Sequence, residues 1–403
     1  MSLDGTSRSP LTSMAPSDAV CPPAWGVACP ARPIHDFLLD FNTRKSPGAE
    51  GRMTHVPLHR EAGTGDFYLR NSCNVSRMQP ITALSVTLSA AGGPDVLRVE
   101  EHPLPAPGPG QVRITTEAAG VAFNDITTRS GLNPGRLPRV LGFDAVGHVD
   151  AVGPGVDDLA IGQRVGALVG TGGYATHVLA PQGRVAPLPE GPDPAVLDAL
   201  MLNYLTAWQM FQRVARPRPG QSVLVLGAAG GVGSALCQIA AHAGVTVHGT
   251  SSPARRDQVE ALGATWVPDA AAVPAPVAAT FDPVGGPSLA LSRRATVRTG
   301  VVVSYGFSFA AGSGHSRTGA LLRTAAAVAR AKLTPGPRLA LHTVEGAVDR
   351  DTAVFRADIA TLTELLAQGA IAPKVSTLRL RDAAEAHRRL ENREVTGKLV
   401  LLP

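Results

Sequence analysis

Residues Ser222–Gly233 read SVLVLGAAGGVG. Ser222–Leu226 is an unbroken apolar run of strand length, and it leads into closely spaced glycines that open a helical run, Val232–Ala243. Strand, glycine turn and helix in that order are what a dinucleotide-binding turn requires. Backbone amides at Ala229, Gly230, Gly231 and Val232 are expected to face a pyrophosphate, whose negative charge the helix dipole favours. Gly233 then lets helix and strand pack closely. Counted from Ala228 the motif is AxGxxG, with alanine in place of the usual first glycine. Val245–Gly249 follows as a second strand and Ala254–Leu262 as a second helix. This β-α-β-α order implies a parallel sheet, because parallel strands need crossovers and are buried on both faces.

The end of the second strand selects between the two dinucleotides, since a carboxylate there accepts ribose hydroxyls and repels a 2′-phosphate. The sequence is Gly249-Thr250-Ser251-Ser252-Pro253-Ala254-Arg255-Arg256, without an acid. Hydroxyls and guanidinium groups suit a phosphate. Cations at a helix start are otherwise unfavourable. Ser251, Ser252 and Arg255 are therefore the expected 2′-phosphate ligands, and NADPH the expected cofactor.

Upstream, short runs broken by glycine and proline stand at Ile81–Leu88, Val96–Val99, Val112–Ala118, Val146–Val152 and Arg164–Val169. Their spacing argues for a compact barrel-like β domain. Downstream, strands are expected at Ala278–Pro283 and Val297–Tyr305, helices at about Thr318–Lys332, Phe355–Gln368 and Ala383–Glu391, and a closing strand at Lys398–Leu402. Residues 1–77 are rich in Pro, Ser, Gly and Arg without sustained periodicity, so a disordered N-terminal extension is expected there.

Length and composition set the outer limits. A chain of 403 residues with 44% hydrophobic residues can bury two cores. A net charge of +5 with dispersed arginines gives no concentrated basic stripe, so no nucleic-acid partner is expected. The four cysteines, Cys21, Cys29, Cys73 and Cys237, form no CxxC pair, and a reducing, cytoplasmic setting is the expectation. No apolar run has transmembrane length and no signal-peptide pattern opens the chain, so no membrane association is expected.

Taken together, GVAFNDITTRSGL (Gly120–Leu132), LPRVLGFDAVGHVDAVGPGV (Leu137–Val156), GQRVGAL (Gly162–Leu168), GGYATHVLAP (Gly172–Pro181), NYLTAW (Asn203–Trp208), the glycine turn, FDPVGG (Phe281–Gly286) and GKLVLL (Gly397–Leu402) resemble, in this order, the zinc-free, quinone-oxidoreductase-like branch of the medium-chain dehydrogenase/reductases. The resemblance runs over roughly residues 78–403. It implies an α/β protein with a Rossmann domain (201–340) inserted into a GroES-like β-barrel catalytic domain (78–200, completed by 341–403). It also implies a cleft holding NADPH, with Thr206 and the turn Tyr305-Gly306-Phe307 near the nicotinamide, and a homodimer is expected. Zinc-dependent relatives take metal ligands where this chain has Ala122, Phe143 and Leu202, and they carry a cysteine-rich lobe that is missing here. Zn²⁺ needs N and S ligands, so no metal site is expected. Two departures stand out: relatives with quinone activity often carry Asn and Tyr where this chain has Ala122 and Thr127, and the link Val267–Phe281 is too short for the usual crossover helix.

Without a Lewis acid to ionise an alcohol, hydride delivery to an electrophilic small molecule, a quinone or α,β-unsaturated carbonyl, is the expected reaction. Donors must share the charge that develops on the carbonyl oxygen, and Asn124, Tyr204 and Thr206 are the candidates. For Tyr204 a packed core aromatic is an equal reading, and for Asp125 and Asp282 a structural role is favoured. Two other functions fit the same sequence: a stand-alone enoyl-thioester reductase, and an NADPH-binding sensor or interaction module with little catalysis.

Overall fold

The computed structural model describes residues 79–133, 135–306 and 317–403. The expected N-terminal extension and Phe307 lie outside the described residues. The chain starts with β1 (Ile81–Leu88), β2 (Leu97–Leu104), β3 (Gln111–Val121), helix α1 (Phe123–Arg129), β4 (Arg139–Val140), β5 (Asp144–Val152), β6 (Arg164–Leu168), β7 (His177–Pro181) and β8 (Val185–Pro187). It then enters helix α2 (Pro194–Ala199), where Asp193 caps the first turn by accepting from the Ala195 amide at 2.7 Å. The helical path runs on to Ala215, but Leu200–Tyr204 and Gln209–Ala215 are π-helical and only Leu205–Trp208 between them is α-helical. π-turns inside a helix widen it and occur often at functional sites.

The middle of the chain supplies β9 (Ser222–Val225), α3 (Gly231–His242), β10 (Thr246–Thr250), α4 (Arg256–Glu260), β11 (Thr265–Val267), β12 (Val277–Asp282), α5 (Ser288–Ala295), β13 (Thr296–Ser304), α6 (Arg317–Leu333) and β14 (Arg338–Leu341). The six strands are all parallel and lie in the order β11-β10-β9-β12-β13-β14. Counted from β9 this is 3-2-1-4-5-6, the doubly wound order, whose ligand crevice opens outside the strand ends where β9 and β12 diverge. Val223, Leu224 and Val225 have no exposed surface, as a strand covered on both faces must. Between β11 and β12 there is a single 3-10 turn at Ala270–Ala272, capped by Asp269, in place of a crossover helix. That is the shortening expected from the Pro- and Ala-rich link.

After helix α7 (Thr352–Ala367) the chain adds β15 (Val375–Arg379), helix α8 (Ala383–Glu391) and β16 (Lys398–Leu402). β16 pairs antiparallel with β3, joining Leu399 to Val121 and Leu401 to Ala119. Both ends of the described chain therefore build one seven-stranded sheet, β15-β16-β3-β5-β6-β8 with β7 also on β3, beside the small sheet β2-β1-β4. The expected class, a Rossmann sheet set into a GroES-like barrel, is the architecture observed. Sequence periodicity missed the short strands β4, β7, β8, β11, β14 and β15. Two to five residues carry too little alternation, and these strands are fixed by pairing rather than by pattern.

Candidate active site

The glycine turn is held by its own backbone and by Thr250 at the end of β10. The Gly227 amide donates to Thr250 Oγ1 at 3.1 Å, the Ala228 amide to the Thr250 carbonyl at 2.8 Å, and the Gly230 amide to the Gly227 carbonyl at 2.9 Å. Gly227 has φ +69°, which glycine adopts without strain. A Cβ on Gly233 would collide with the Gly227 carbonyl, so that position is closed to larger residues. Gly230 is the N-cap of α3, and the first turn carries no acid to oppose an anion. A cradle lined by backbone and too tight for side chains fits a pyrophosphate. Ala229, Gly230, Gly231, Val232 and Gly233 are thus brought together at one helix end, but the Gly230 amide, expected to face the pyrophosphate, is turned back onto the Gly227 carbonyl.

Ser251, Ser252 and Arg255 follow directly on β10. Ser251 Oγ donates to the Ser252 carbonyl and accepts from Trp266 Nε1 at 3.1 Å, while Ser252 is exposed. Arg255 is half-buried and one guanidinium nitrogen donates to the Val395 carbonyl at 3.0 Å, tying this corner to the segment before β16. Arg256 is otherwise engaged: it pairs with Glu260 at 2.8 Å and lies over the Trp266 ring. Arg255 is therefore the guanidinium at this strand end with no carboxylate partner. The residues present fit a 2′-phosphate.

Tyr305 and Gly306 leave the end of β13, with the Tyr305 amide donating to the Asp282 carbonyl at 3.1 Å. A Cβ on Gly306 would strike the Pro283 carbonyl. Burial, with the Asp282 charge second, holds the Tyr305 phenol protonated far above its ordinary range. Asp282 is fully buried and accepts four hydrogen bonds, from the amides of Val284 and Gly285 and the hydroxyls of Ser288 and Ser292. It fastens the turn Pro283–Gly286, the structural role favoured for it.

The three expected donors are placed differently. Asn124 is exposed on α1, and its side-chain oxygen accepts from Asn133 Nδ2 at 2.6 Å. Thr206 lies just beneath the surface in the short α-turn between the two π-segments. Tyr204 does not suit the role expected of it: its hydroxyl is buried, lies near Gln238 and Cys237 of α3, and makes no hydrogen bond of ordinary geometry. It packs as a core aromatic, because the π-turn rotates its side chain into the nucleotide-binding domain. Burial likewise pushes the Cys237 thiol up to about 12, so it is inert at neutral pH.

Beneath α1 lies a buried polar network. Asp125 accepts from the Ala122 amide at 2.9 Å, the Gly142 amide at 3.1 Å and the Tyr174 hydroxyl at 3.0 Å, and burial raises its carboxyl to about 6. Tyr174 also faces His387 Nε2 at 3.2 Å. Burial, aided by the nearby Arg129, lowers His387 to about 3. Deeper in the barrel, Lys398 Nζ donates to Asp144 Oδ2 at 2.6 Å, with Asp198 Oδ1 at 3.6 Å. Reading the sequence alone passed over this last group. Its trace was there: Asp144 and Lys398 each open a strand directly before an apolar run, Ala145-Val146 and Leu399–Leu402. At the aligned zinc positions Ala122 and Phe143 are buried apolar groups and Leu202 is partly buried, so those places offer no metal donor.

A model of the alcohol dehydrogenase GroES-like domain matches residues 108–190, and one described as zinc-binding dehydrogenase matches residues 257–401. The synaptic vesicle membrane protein VAT-1 homolog of Rattus norvegicus is 31% identical over 337 residues, 79% of this chain and 83% of that protein. The chain belongs to the medium-chain dehydrogenase/reductase superfamily. This medium-chain dehydrogenase/reductase also superposes on the Escherichia coli quinone oxidoreductase complexed with NADPH, with a TM-score of 0.69 and 25% identity over 79% of this chain and all of that one (100%). A 2-haloacrylate reductase of Burkholderia sp is 38% identical over 176 residues, 42% of this chain and 53% of that protein. Among the described residues of this medium-chain dehydrogenase/reductase, no helix is long and apolar enough to cross a membrane.

Proposed function

We propose that the chain is an NADPH-dependent, zinc-independent oxidoreductase that delivers hydride to a quinone or an α,β-unsaturated carbonyl. The observation that carries this reading is the strand end Thr250–Arg255, which has hydroxyls and an arginine free of carboxylate partners where an NAD-binding fold needs an acid. The NADPH-bound quinone oxidoreductase and the 2-haloacrylate reductase support it from the side of the relatives. Bound NADPH would supply the hydride, and solvent the proton that completes the reduction. The backbone of Gly230–Gly233 would hold the pyrophosphate and Ser251, Ser252 and Arg255 the 2′-phosphate. Tyr305 and Gly306 would shape the nicotinamide end. Asn124 and Thr206 would donate to the acceptor oxygen as charge builds on it. With Ala122, Phe143 and Leu202 at the metal positions, nothing here lowers an alcohol's pKa, which disfavours alcohol oxidation.

The same reading takes residues 78–200 with 341–403 as the catalytic domain and 201–340 as the nucleotide domain, in a cytoplasmic homodimer. β14 is the outer strand of the parallel sheet, and its last residue, Leu341, is half exposed, which supports pairing with a second copy. An NADPH-oxidation screen over quinones, enones, enoyl thioesters and simple alcohols, with zinc measured by elemental analysis, tests the whole. Turnover of quinones or enones without stoichiometric zinc is expected. Alcohol oxidation that is lost on chelation would overturn it, and activity confined to enoyl thioesters would move the substrate class to a biosynthetic reductase.

A further inference from the structure

The glycine turn is gripped from two sides, and both grips lead into one buried ionic cluster. On the first side Gly231 lies so close to Asn203 that a Cβ on it would collide with the Asn203 amide. Asn203 continues the helical path that begins with α2, which carries Asp198. On the second side Gly230 forms a parallel bridge with Gly397, the residue before Lys398. Asp198 and Lys398 meet beneath the turn together with Asp144, and none of the three is more than 2% exposed. Gly120 belongs to the same packing, since a Cβ there would strike both Lys398 Nζ and Asp198 Oδ1.

One cation serves two acids unequally. Lys398 Nζ lies 2.6 Å from Asp144 Oδ2 but 3.6 Å from Asp198 Oδ1, so its close bond goes to Asp144. Burial, reinforced by the neighbouring Asp144 charge, holds the Asp198 carboxyl well above the usual range. Burial raises Asp144 as well, but the Lys398 ammonium beside it opposes that shift, so Asp144 is the acid of the ion pair and Asp198 stands outside it. A buried ion pair stabilises a fold no better than well-packed neutral groups, so stability alone does not account for it.

We propose that the Lys398–Asp144 pair is a positioning device: it fixes Gly397, and through the bridge to Gly230 it sets the glycine turn in the shape that receives the pyrophosphate. This rests on the NADPH reading above. The test is a double variant, Lys398→Met with Asp144→Asn, which leaves no unpaired charge even if Lys398→Met alone does not fold. It is compared with Asp198→Asn and wild type in fluorescence titrations with NADPH and with adenosine 2′-phosphate, a probe that lacks the pyrophosphate. The double variant is expected to melt near wild type and to bind NADPH about tenfold more weakly, a normal size for coupled neighbours. Its affinity for adenosine 2′-phosphate should be unchanged. Asp198→Asn should bind NADPH like wild type, because Asp198 lies outside the Lys398–Asp144 pair. Unchanged NADPH affinity in the double variant would overturn the proposal, as would equal weakening of both ligands or failure of the double variant to fold. A wild-type protein that binds no NADPH would instead sink the cofactor reading, and this inference with it.

Discussion

The glycine turn and the barrel interior achieve their shape by opposite means. In the glycine turn, Gly227–Gly233, the shape comes from atoms that are absent: the missing Cβ of Gly231 lets Asn203 come close, and that of Gly233 lets the Gly227 carbonyl and the Ala228 backbone do so. At the catalytic-domain end the neighbouring ground is held by buried side chains in pairs, Asp125 with Tyr174 and Asp144 with Lys398. The difference teaches where each half is vulnerable. A tight backbone turn tolerates no added atom, whereas a charged interior tolerates volume better than it tolerates the loss of a partner.

That contrast breaks first, and most visibly, at Gly233. Gly233→Val places a branched side chain against the Gly227 carbonyl and the Ala228 backbone, neither of which can yield cheaply. NADPH affinity should fall by at least about 100-fold, roughly 2.7 kcal/mol. Titration of the purified variant checks this, and wild-type affinity would show that the turn is not the cradle.

The charged half should reveal itself through pH. His387 has a folded pKa of about 3 against an ordinary value of 6.5, so below pH 6.5 the unfolded chain binds a proton that the folded chain refuses. Its contribution to stability is complete above pH 6.5 and is lost as pH falls toward 3, by up to about 1.4 kcal/mol per pH unit. His387→Phe keeps a ring against Tyr174 and should flatten the decline between pH 6 and 4, an interval inside that window. Urea denaturation across that range, run on both proteins, gives the answer. Parallel curves would mean that the imidazole is not the group refusing protons.

Smaller effects sharpen the comparison within the nucleotide half. Arg255→Ala removes the cation at the end of β10 and should weaken NADPH by about tenfold, the size of one charged hydrogen bond, while leaving NADH nearly unchanged. Equal losses for both dinucleotides would assign Arg255 to its Val395 contact alone. The smallest effect is expected at Asn124, exposed and only partly engaged: Asn124→Ala should lower kcat by roughly two- to tenfold with little change in the NADPH KM. Unaltered kcat on every accepted substrate would remove it from the site.

The nucleotide half was legible because its signal is local. Strand, glycines and helix are consecutive in Ser222–His242, and the missing acid of Thr250–Arg256 can be read in eight residues or fewer. The catalytic half was less so. Thr206 rests on resemblance, Asn124 stands in where the chain departs from its relatives at Ala122 and Thr127, and both are still proposals. Tyr204 looked like a donor, and only the π-turn at Leu200–Tyr204 shows that its hydroxyl enters the core beside α3. Helix periodicity assumes a constant turn, and a π-turn breaks that assumption without a mark in the residue types.

What the sequence by itself determined is the parallel β-α-β-α unit, the glycine turn and the acid-free composition of the strand end that follows, because each depends on neighbours a few residues apart. What only the tertiary structure decided is the charged interior. Asp144, Asp198 and Lys398 lie 54 and 200 residues apart along the chain, and each read singly is a lone charge in apolar surroundings. They become a cluster only when β16 returns to pair with β3 and seals the barrel, for a buried charge is admissible only where folding brings its partner.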